Sequence, residues 1–300
     1  MGNMPIQLIQ VILLAIVQGL AELLPVSSSA HVVVAEKLMH LDPSTPEMTL
    51  LLVMLHTGTM FAVIVYFWKR WQKTYFSSAA AFKGFLVPLV AATALTVIIG
   101  YPLQKVVAKV AMPGAEKAEI EELFKRLDII APALFAAGVL ILIAGLRERR
   151  QISEAAAEDE GATLTMPQSL WIGAIQGICI PFRGFSRSGA TISTGMLAGA
   201  AREKAERFSF ALAVVLTPPV VFVEVHRLLK ATKEAAAAGT PIDLHATLMM
   251  SLLGAVFAFL AGLVALKWLS SWLESGKWYL FGIYCLVASG VVFYLHTQGY

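Results

Sequence analysis

The run Ile180-Pro-Phe-Arg183-Gly184-Phe-Ser186-Arg187-Ser188-Gly-Ala-Thr191-Ile-Ser193 lies between two apolar segments, and its reading decides how the whole chain is laid out. An arginine carried into a bilayer is costly unless it meets a partner or a water-filled cavity, so it marks a working site by default. Arginine's planar fork matches phosphate or carboxylate, and nearby hydroxyls and glycine-opened N–H groups suit the same anion. The stretch therefore reads as one half of a phosphate-handling pocket. The other half is expected near the N-terminus, at Gln18–His31.

Composition supports a membrane setting. Of the 300 residues, 58% are hydrophobic and only 14% charged, against about a quarter charged in ordinary soluble domains. The mean hydropathy is +0.73. A net charge of +3 makes no case for nucleic acid. Cys179 and Cys285 lie inside apolar segments and form no disulfide framework, so free thiols are expected. The first basic residue is Lys37, so the N-terminus lacks the basic opening of a signal peptide.

Taken in order, Leu8–Leu24 is apolar but interrupted by Gln18, Gly19 and Glu22, and it ends at Pro25. Val26-Ser27-Ser28-Ser29 then opens a short apolar run, Ala30–Met39. Neither piece reaches the roughly 20 residues of a clean span, so a helical hairpin dipping into the bilayer is expected. Spans at Leu50–Trp68, Gly84–Tyr101 and Ile129–Leu146 follow, then a polar solvent loop at Arg147–Pro167. The pattern restarts with two short pieces, Ser169–Ile180 and Ala190–Ala200. Spans at Arg207–His226, Thr247–Leu266 and Trp278–His296 complete it, with a break expected at Pro218-Pro219.

Ala15-Ile-Val-Gln18-Gly19 before the first break matches Ala174-Ile-Gln176-Gly177 before the second, at an offset of 158 residues. Three crossings per half make the second half enter from the opposite face. The predicted fold is thus all-α and polytopic: two inverted repeats in one membrane domain over residues 1–300, each a re-entrant helical hairpin plus three transmembrane helices. Repeat 1 covers about residues 5–146 and repeat 2 about residues 169–296. Interrupted segments at matching places point to a site at the membrane midplane where the hairpins meet. Orientation is nearly undetermined by charge, with ten basic residues on one side and nine on the other. Trp68, Trp71, Trp268, Trp272 and Trp278 read as interfacial anchors.

Gln18 and Glu22 are four apart and share a helical face. Ser27, Ser28 and Ser29 stand where hydroxyls cap a helix and where N–H groups bind anions. His31 falls just inside that helix and can move a proton near neutral pH. Opposite them, Arg187 is the candidate anion clamp, with Arg183, Ser186, Ser188 and Thr191 around it. Ordinary capping is an equal reading for each hydroxyl, and an ion pair with Arg187 is a structural reading of Glu22. His56, beside Thr57 and Gly58 early in its span, has two readings, a histidine facing the pocket and, the preferred one, a packed histidine. Together the set offers what phosphoryl transfer needs: positive charge, a nucleophile, an acid or base, and a carboxylate suited to a divalent ion.

Gln18-x-x-x-Glu22, Leu-Pro-Val-Ser-Ser-Ser-Ala-His31 and Gly184-Phe-Ser-Arg-Ser-Gly-Ala-Thr191 together resemble the bacterial undecaprenyl-diphosphate phosphatases. That family's last motif begins Pro-Gly; here Arg183 stands in place of the proline, with Pro181 two residues earlier. The resemblance implies an inner-membrane enzyme, its site open to the periplasmic side. Such an enzyme removes the terminal phosphate of a C55 polyprenyl diphosphate and regenerates the monophosphate carrier used in cell-wall assembly. By the same resemblance Glu22, Ser28, His31, Ser186, Arg187 and Thr191 are functional positions; joined to the reading of the residues themselves, this makes Glu22, Ser28, His31 and Arg187 the expected catalytic residues and Gln18, Ser27, Arg183, Ser186, Ser188 and Thr191 the expected substrate-binding ones. Ser28, His31 and water all stand as nucleophile. Glu22 is the expected ligand of any Mg2+ or Ca2+. The implied partners are the lipid diphosphate and the bilayer, with a homodimer compatible and nucleic acid excluded. A carrier or flippase for an anionic lipid would use many of the same parts. A second membrane-phosphatase class is excluded, because Ser193 stands where its motif after Ser186-Arg187 needs a histidine.

Overall fold

The computed structural model describes residues 7–42, 45–111, 126–152, 163–237, 242–273 and 277–300. Residues 153–162 of the expected solvent loop, together with Lys117 and Lys125, lie outside them, as does the side chain of Trp272. The described chain is all helix, with no strand among the described residues. In order these are α1 (Leu8–Leu23), α2 (Ser28–Leu38), α3 (Pro46–Tyr75), α4 (Ala79–Ala111), α5 (Leu127–Ile152), α6 (Met166–Cys179), α7 (Arg187–Leu197), α8 (Arg202–Ala237), α9 (Leu244–Leu273) and α10 (Trp278–Thr297). Six of them, α3, α4, α5, α8, α9 and α10, are long and apolar enough to cross a membrane.

The helix starts follow local chemistry. Thr45 accepts from the Met48 N–H at 3.3 Å, with Pro46 preset for the first turn of α3. Thr165 and Gln168 form a reciprocal capping box at the start of α6. The spans run past their expected ends: the polar stretch Lys69–Lys73 stays helical in α3. Likewise Arg147–Ile152, expected in the solvent loop, continues α5. Pro218-Pro219 does not break the chain, and α8 passes through both prolines. A membrane helix tolerates the missing donors when neighbouring groups satisfy the freed carbonyls.

Lipid tails are as apolar as leucine, so helices in a bilayer hold together by close packing. Gly19 lets α1 press on α9, where an added Cβ would lie 2.5 Å from that of Ala261 and 2.9 Å from the Ala258 carbonyl oxygen. Gly177 does the same for α6 against α4, its Cβ position 2.9 Å from the Thr96 carbonyl oxygen. The two glycines of the repeated sequence thus seat each half's first helix on a helix of the other half. Two of the expected aromatic anchors are internal instead: Trp71 is buried against Phe67, and Trp278, 1% exposed, donates Nε1–H to Ser193 Oγ at 3.0 Å. Trp68 and Trp268 remain exposed.

Candidate active site

Glu22 ends α1 one turn after Gln18, and its side chain is 6% exposed. Four side chains from three parts of the sequence converge on it. Gln18 Nε2 donates to Oε2 at 2.9 Å, and Ser28 Oγ, from the first turn of α2, donates to the same oxygen at 2.5 Å. Arg187, the first residue of α7, pairs its Nη2 with Oε1. His56 of α3 places Nδ1 3.1 Å from Oε2 and 2.8 Å from Gln18 Nε2. That nitrogen accepts from Gln18 in one ring tautomer and donates to Glu22 in the other.

The tips of the two short helix pairs are tied directly. Ser188 Oγ donates to the Leu24 carbonyl at 3.3 Å, and the Gly184 N–H donates to Ser29 Oγ at 3.3 Å. Gly184 has φ +99°, and a Cβ there would lie 2.5 Å from the Ile130 carbonyl oxygen, so only glycine fits. Ser27 adopts φ 67° without being glycine. Such backbone persists only where its surroundings hold it. Here the Ser27 side chain caps the Ala30 N–H at 3.4 Å, and its carbonyl accepts from His31 Nδ1 at 2.7 Å. The N-termini of α2 and α7, each carrying a partial positive charge, therefore both open beside Glu22.

Arg187 spends one nitrogen on Glu22. Its Nη1 is buried and has no hydrogen-bond partner among the described residues. A buried donor in that condition is costly, and a phosphate oxygen would satisfy it. Ser186 and Thr191, expected to donate to substrate, are engaged within the protein. Ser186 Oγ caps the Gly189 N–H at 3.2 Å. Thr191 Oγ1 donates to the Arg187 carbonyl at 2.7 Å and shares a 2.5 Å hydrogen bond with Ser209 Oγ. Both brace the turn that carries the guanidinium. Arg183 is half-buried at the loop before Gly184, close enough to the fully buried Glu36 to act on its charge.

His31 engages Ser27 and, through Nε2, the hydroxyl of Tyr284 on α10 at 2.6 Å. The imidazole in contact with Glu22 is that of His56, which fits the pocket-facing of its two sequence readings rather than the packed one. Its place beside Thr57 and Gly58 was the available signal, and no motif spacing adds to it. Gln176 is different: it is 2% exposed, with neither amide atom hydrogen-bonded among the described residues. Its position matching Gln18 in the repeat was the available signal. For a metal, the donor set is thin. Glu22 has both oxygens engaged, and among the described residues no group of three or more His, Cys, Asp or Glu side chains stands ready to hold an ion. Hard divalent cations want several oxygen ligands, so the chain by itself fits one poorly. Both cysteines are free thiols.

Against known proteins, the family model described as bacitracin resistance protein BacA matches residues 11–291. The chain is 55% identical to undecaprenyl-diphosphatase 2 of Acinetobacter baylyi over 285 residues, covering 95% of this chain and 96% of that protein. It is 34% identical to undecaprenyl-diphosphatase 2 of Burkholderia ambifaria, over 96% and 97% of the two chains. With the undecaprenyl-diphosphatase of Acidiphilium cryptum it shares 32%, over 91% and 93%. A model match across nearly the whole length, and relatives aligned end to end with it, lead to one conclusion: the chain belongs to the bacitracin resistance protein BacA family.

Proposed function

We infer that this protein is an undecaprenyl-diphosphate phosphatase, removing the terminal phosphate of a C55 polyprenyl diphosphate and releasing the monophosphate carrier lipid. The observation that carries the reading is the Arg187–Glu22 pair joining the two helix tips, with Arg187 Nη1 left to meet an anion. The relatives' names agree with it.

In the proposed reaction, Arg187 Nη1 and the N-termini of α2 and α7 hold the oxygens of the terminal phosphate. Ser28, aligned by its 2.5 Å hydrogen bond to Glu22, attacks that phosphorus with Oγ. The bond to the bridging oxygen breaks, its electron pair leaves on the prenyl monophosphate, and the Ser28 proton passes to Glu22. Water then attacks the seryl phosphate and gives its proton to His31 Nε2; the Oγ–P bond breaks, Ser28 Oγ takes back the proton held by Glu22, and inorganic phosphate departs. Ser28 and His31 are three apart on α2 and so share a face. Such catalysis rests on positioning and electrostatics more than on covalent chemistry. Any Mg2+ or Ca2+ dependence is assigned to an ion carried on the diphosphate oxygens, since Glu22 is already engaged.

The halves are proposed to be inverted repeats within a single membrane domain, with α1–α2 and α6–α7 as re-entrant hairpins. Three candidate spans per half and the reciprocal seating of Gly19 and Gly177 support this. The proposed setting is the bacterial inner membrane with the site open to the periplasmic side; thiol labelling of introduced cysteines in intact cells tests that. A homodimer is tested by light scattering of the detergent-solubilised protein. The function itself is tested by phosphate release from polyprenyl diphosphate with purified protein. Release that depends on Arg187 supports the phosphatase, whereas lipid movement without release supports a carrier.

A further inference from the structure

Tyr284 lies in α10, far in sequence from both helix pairs, and nothing in the motifs points to it. Its hydroxyl oxygen is 2.6 Å from His31 Nε2, and the two rings lie nearly parallel, 11° apart with centroids 5.7 Å apart. The next residue, Cys285, sits 3.4 Å from the Pro25 carbonyl through its Sγ, so this turn of α10 is seated on the tip between α1 and α2. Tyr284 is therefore fixed where it meets the histidine.

The hydrogen bonds settle the tautomer. The Ser27 carbonyl can only accept, so His31 Nδ1, 2.7 Å away, carries a proton and donates it. In the neutral ring that leaves the lone pair on Nε2, and the Tyr284 O–H is its donor. One end of the imidazole is held by strained backbone and the other by a phenol from a different helix.

We propose that Tyr284 is a positioning residue for His31: its hydroxyl, donating to Nε2, holds the imidazole oriented in the Nδ1–H form in the resting site and yields that nitrogen to the attacking water when a base is needed. The logic is that of a base oriented by a hydrogen-bonding neighbour, here acting on the accepting nitrogen rather than on the far one. Tyr284 itself touches neither substrate nor phosphorus. The inference rests on the phosphatase reading for its kinetic consequence, though not for the tautomer.

The experiment compares wild type, Tyr284→Phe, Tyr284→Leu, His31→Gln and the double variant Tyr284→Phe/His31→Gln, purified in detergent, by phosphate release from polyprenyl diphosphate. Tyr284→Phe keeps the ring and its packing and removes one oxygen. Its kcat is expected to fall about tenfold with KM moving less than about twofold, the scale of one lost hydrogen bond. Tyr284→Leu should lose as much, and Tyr284→Phe should cost nothing further in the His31→Gln background. Full turnover in Tyr284→Phe, or an undiminished loss in the double variant, overturns the proposal. Nitrogen NMR of the histidine rings, with His31 assigned from His31→Gln, should show Nε2 unprotonated in wild type and altered in Tyr284→Phe. A protonated, unresponsive Nε2 also overturns it. If wild type releases no phosphate at all, the phosphatase reading fails while the spectra still decide the Tyr284–His31 inference.

Discussion

Removing the Arg187 guanidinium should be the most informative single perturbation. In the native protein its Nη2 neutralises Glu22, whose side chain is 6% exposed, while Nη1 is buried with no hydrogen-bond partner among the described residues. Arg187→Ala therefore does two things at once. It leaves a buried carboxylate without its counter-charge, which costs about 3–5 kcal/mol of stability. It also withdraws a donor from the transferred phosphoryl group, worth about 3–4 kcal/mol of barrier, or a hundred- to a thousandfold in kcat. The first effect alone is a large share of the roughly 5–15 kcal/mol that holds a typical domain folded. Activity loss in the single variant would thus confuse unfolding with lost chemistry. Pairing it with Glu22→Gln, and reading the double variant against Glu22→Gln alone because Glu22 also takes the Ser28 proton, separates them. The double variant removes both charges, so its melting temperature should recover toward wild type while phosphate release stays well below that of Glu22→Gln alone. Detergent-phase thermal unfolding and phosphate release are the two assays. Recovery of turnover together with stability would show Arg187 to be a structural counter-ion only, and the site chemistry proposed here would be wrong.

Other outcomes follow from single contacts. Ser28→Ala should lower turnover by about a hundredfold or more and abolish any phosphoryl label retained on protein quenched during turnover with terminally labelled substrate; turnover near wild type would assign the attack to water or His31. His56→Ala, losing the ring nitrogen 3.1 Å from Glu22, should reduce kcat about tenfold with little change in KM, read from saturation curves. Gly184→Ala must fit a Cβ 2.5 Å from the Ile130 carbonyl oxygen at φ +99°, so its melting temperature should fall and turnover with it. Gln18→Glu adds a second carboxylate beside Glu22 and should sharpen the response of phosphate release to Mg2+ or Ca2+; an unchanged titration would count against ion binding at this end of the site.

Glu22 and Arg187 were legible in the sequence because charge is expensive in an apolar run, and the structure joins them across the two halves. The interrupted segments were legible for the same reason: Pro25 and Pro181 break runs too short to span. Helix ends were less so. Lys69–Lys73 and Arg147–Ile152 look like loop by hydropathy, yet a helix needs only backbone hydrogen bonds to continue into water. Pro218-Pro219 misled because a proline removes a donor without ending a helix whose neighbours supply the rest. His56 was only faintly legible, from Thr57 and Gly58 beside it, and Tyr284 not at all, since a single polar ring in a span has no periodicity; what makes each matter is a partner 34 and 253 residues away. The hydroxyls of Ser186 and Thr191 suit an anion site by type, and their hydrogen bonds also brace the turn that carries Arg187. That second use rests on contacts no motif spacing displays.

α10 reaches both helix tips: Trp278 binds Ser193 beyond one, and Cys285 and Tyr284 meet the other at Pro25 and His31. A stiff rod anchored at both jaws makes their separation a property of its own tilt. The acid and the guanidinium are thus held at their working distance twice over, by their own ion pair and by a helix that belongs to neither jaw.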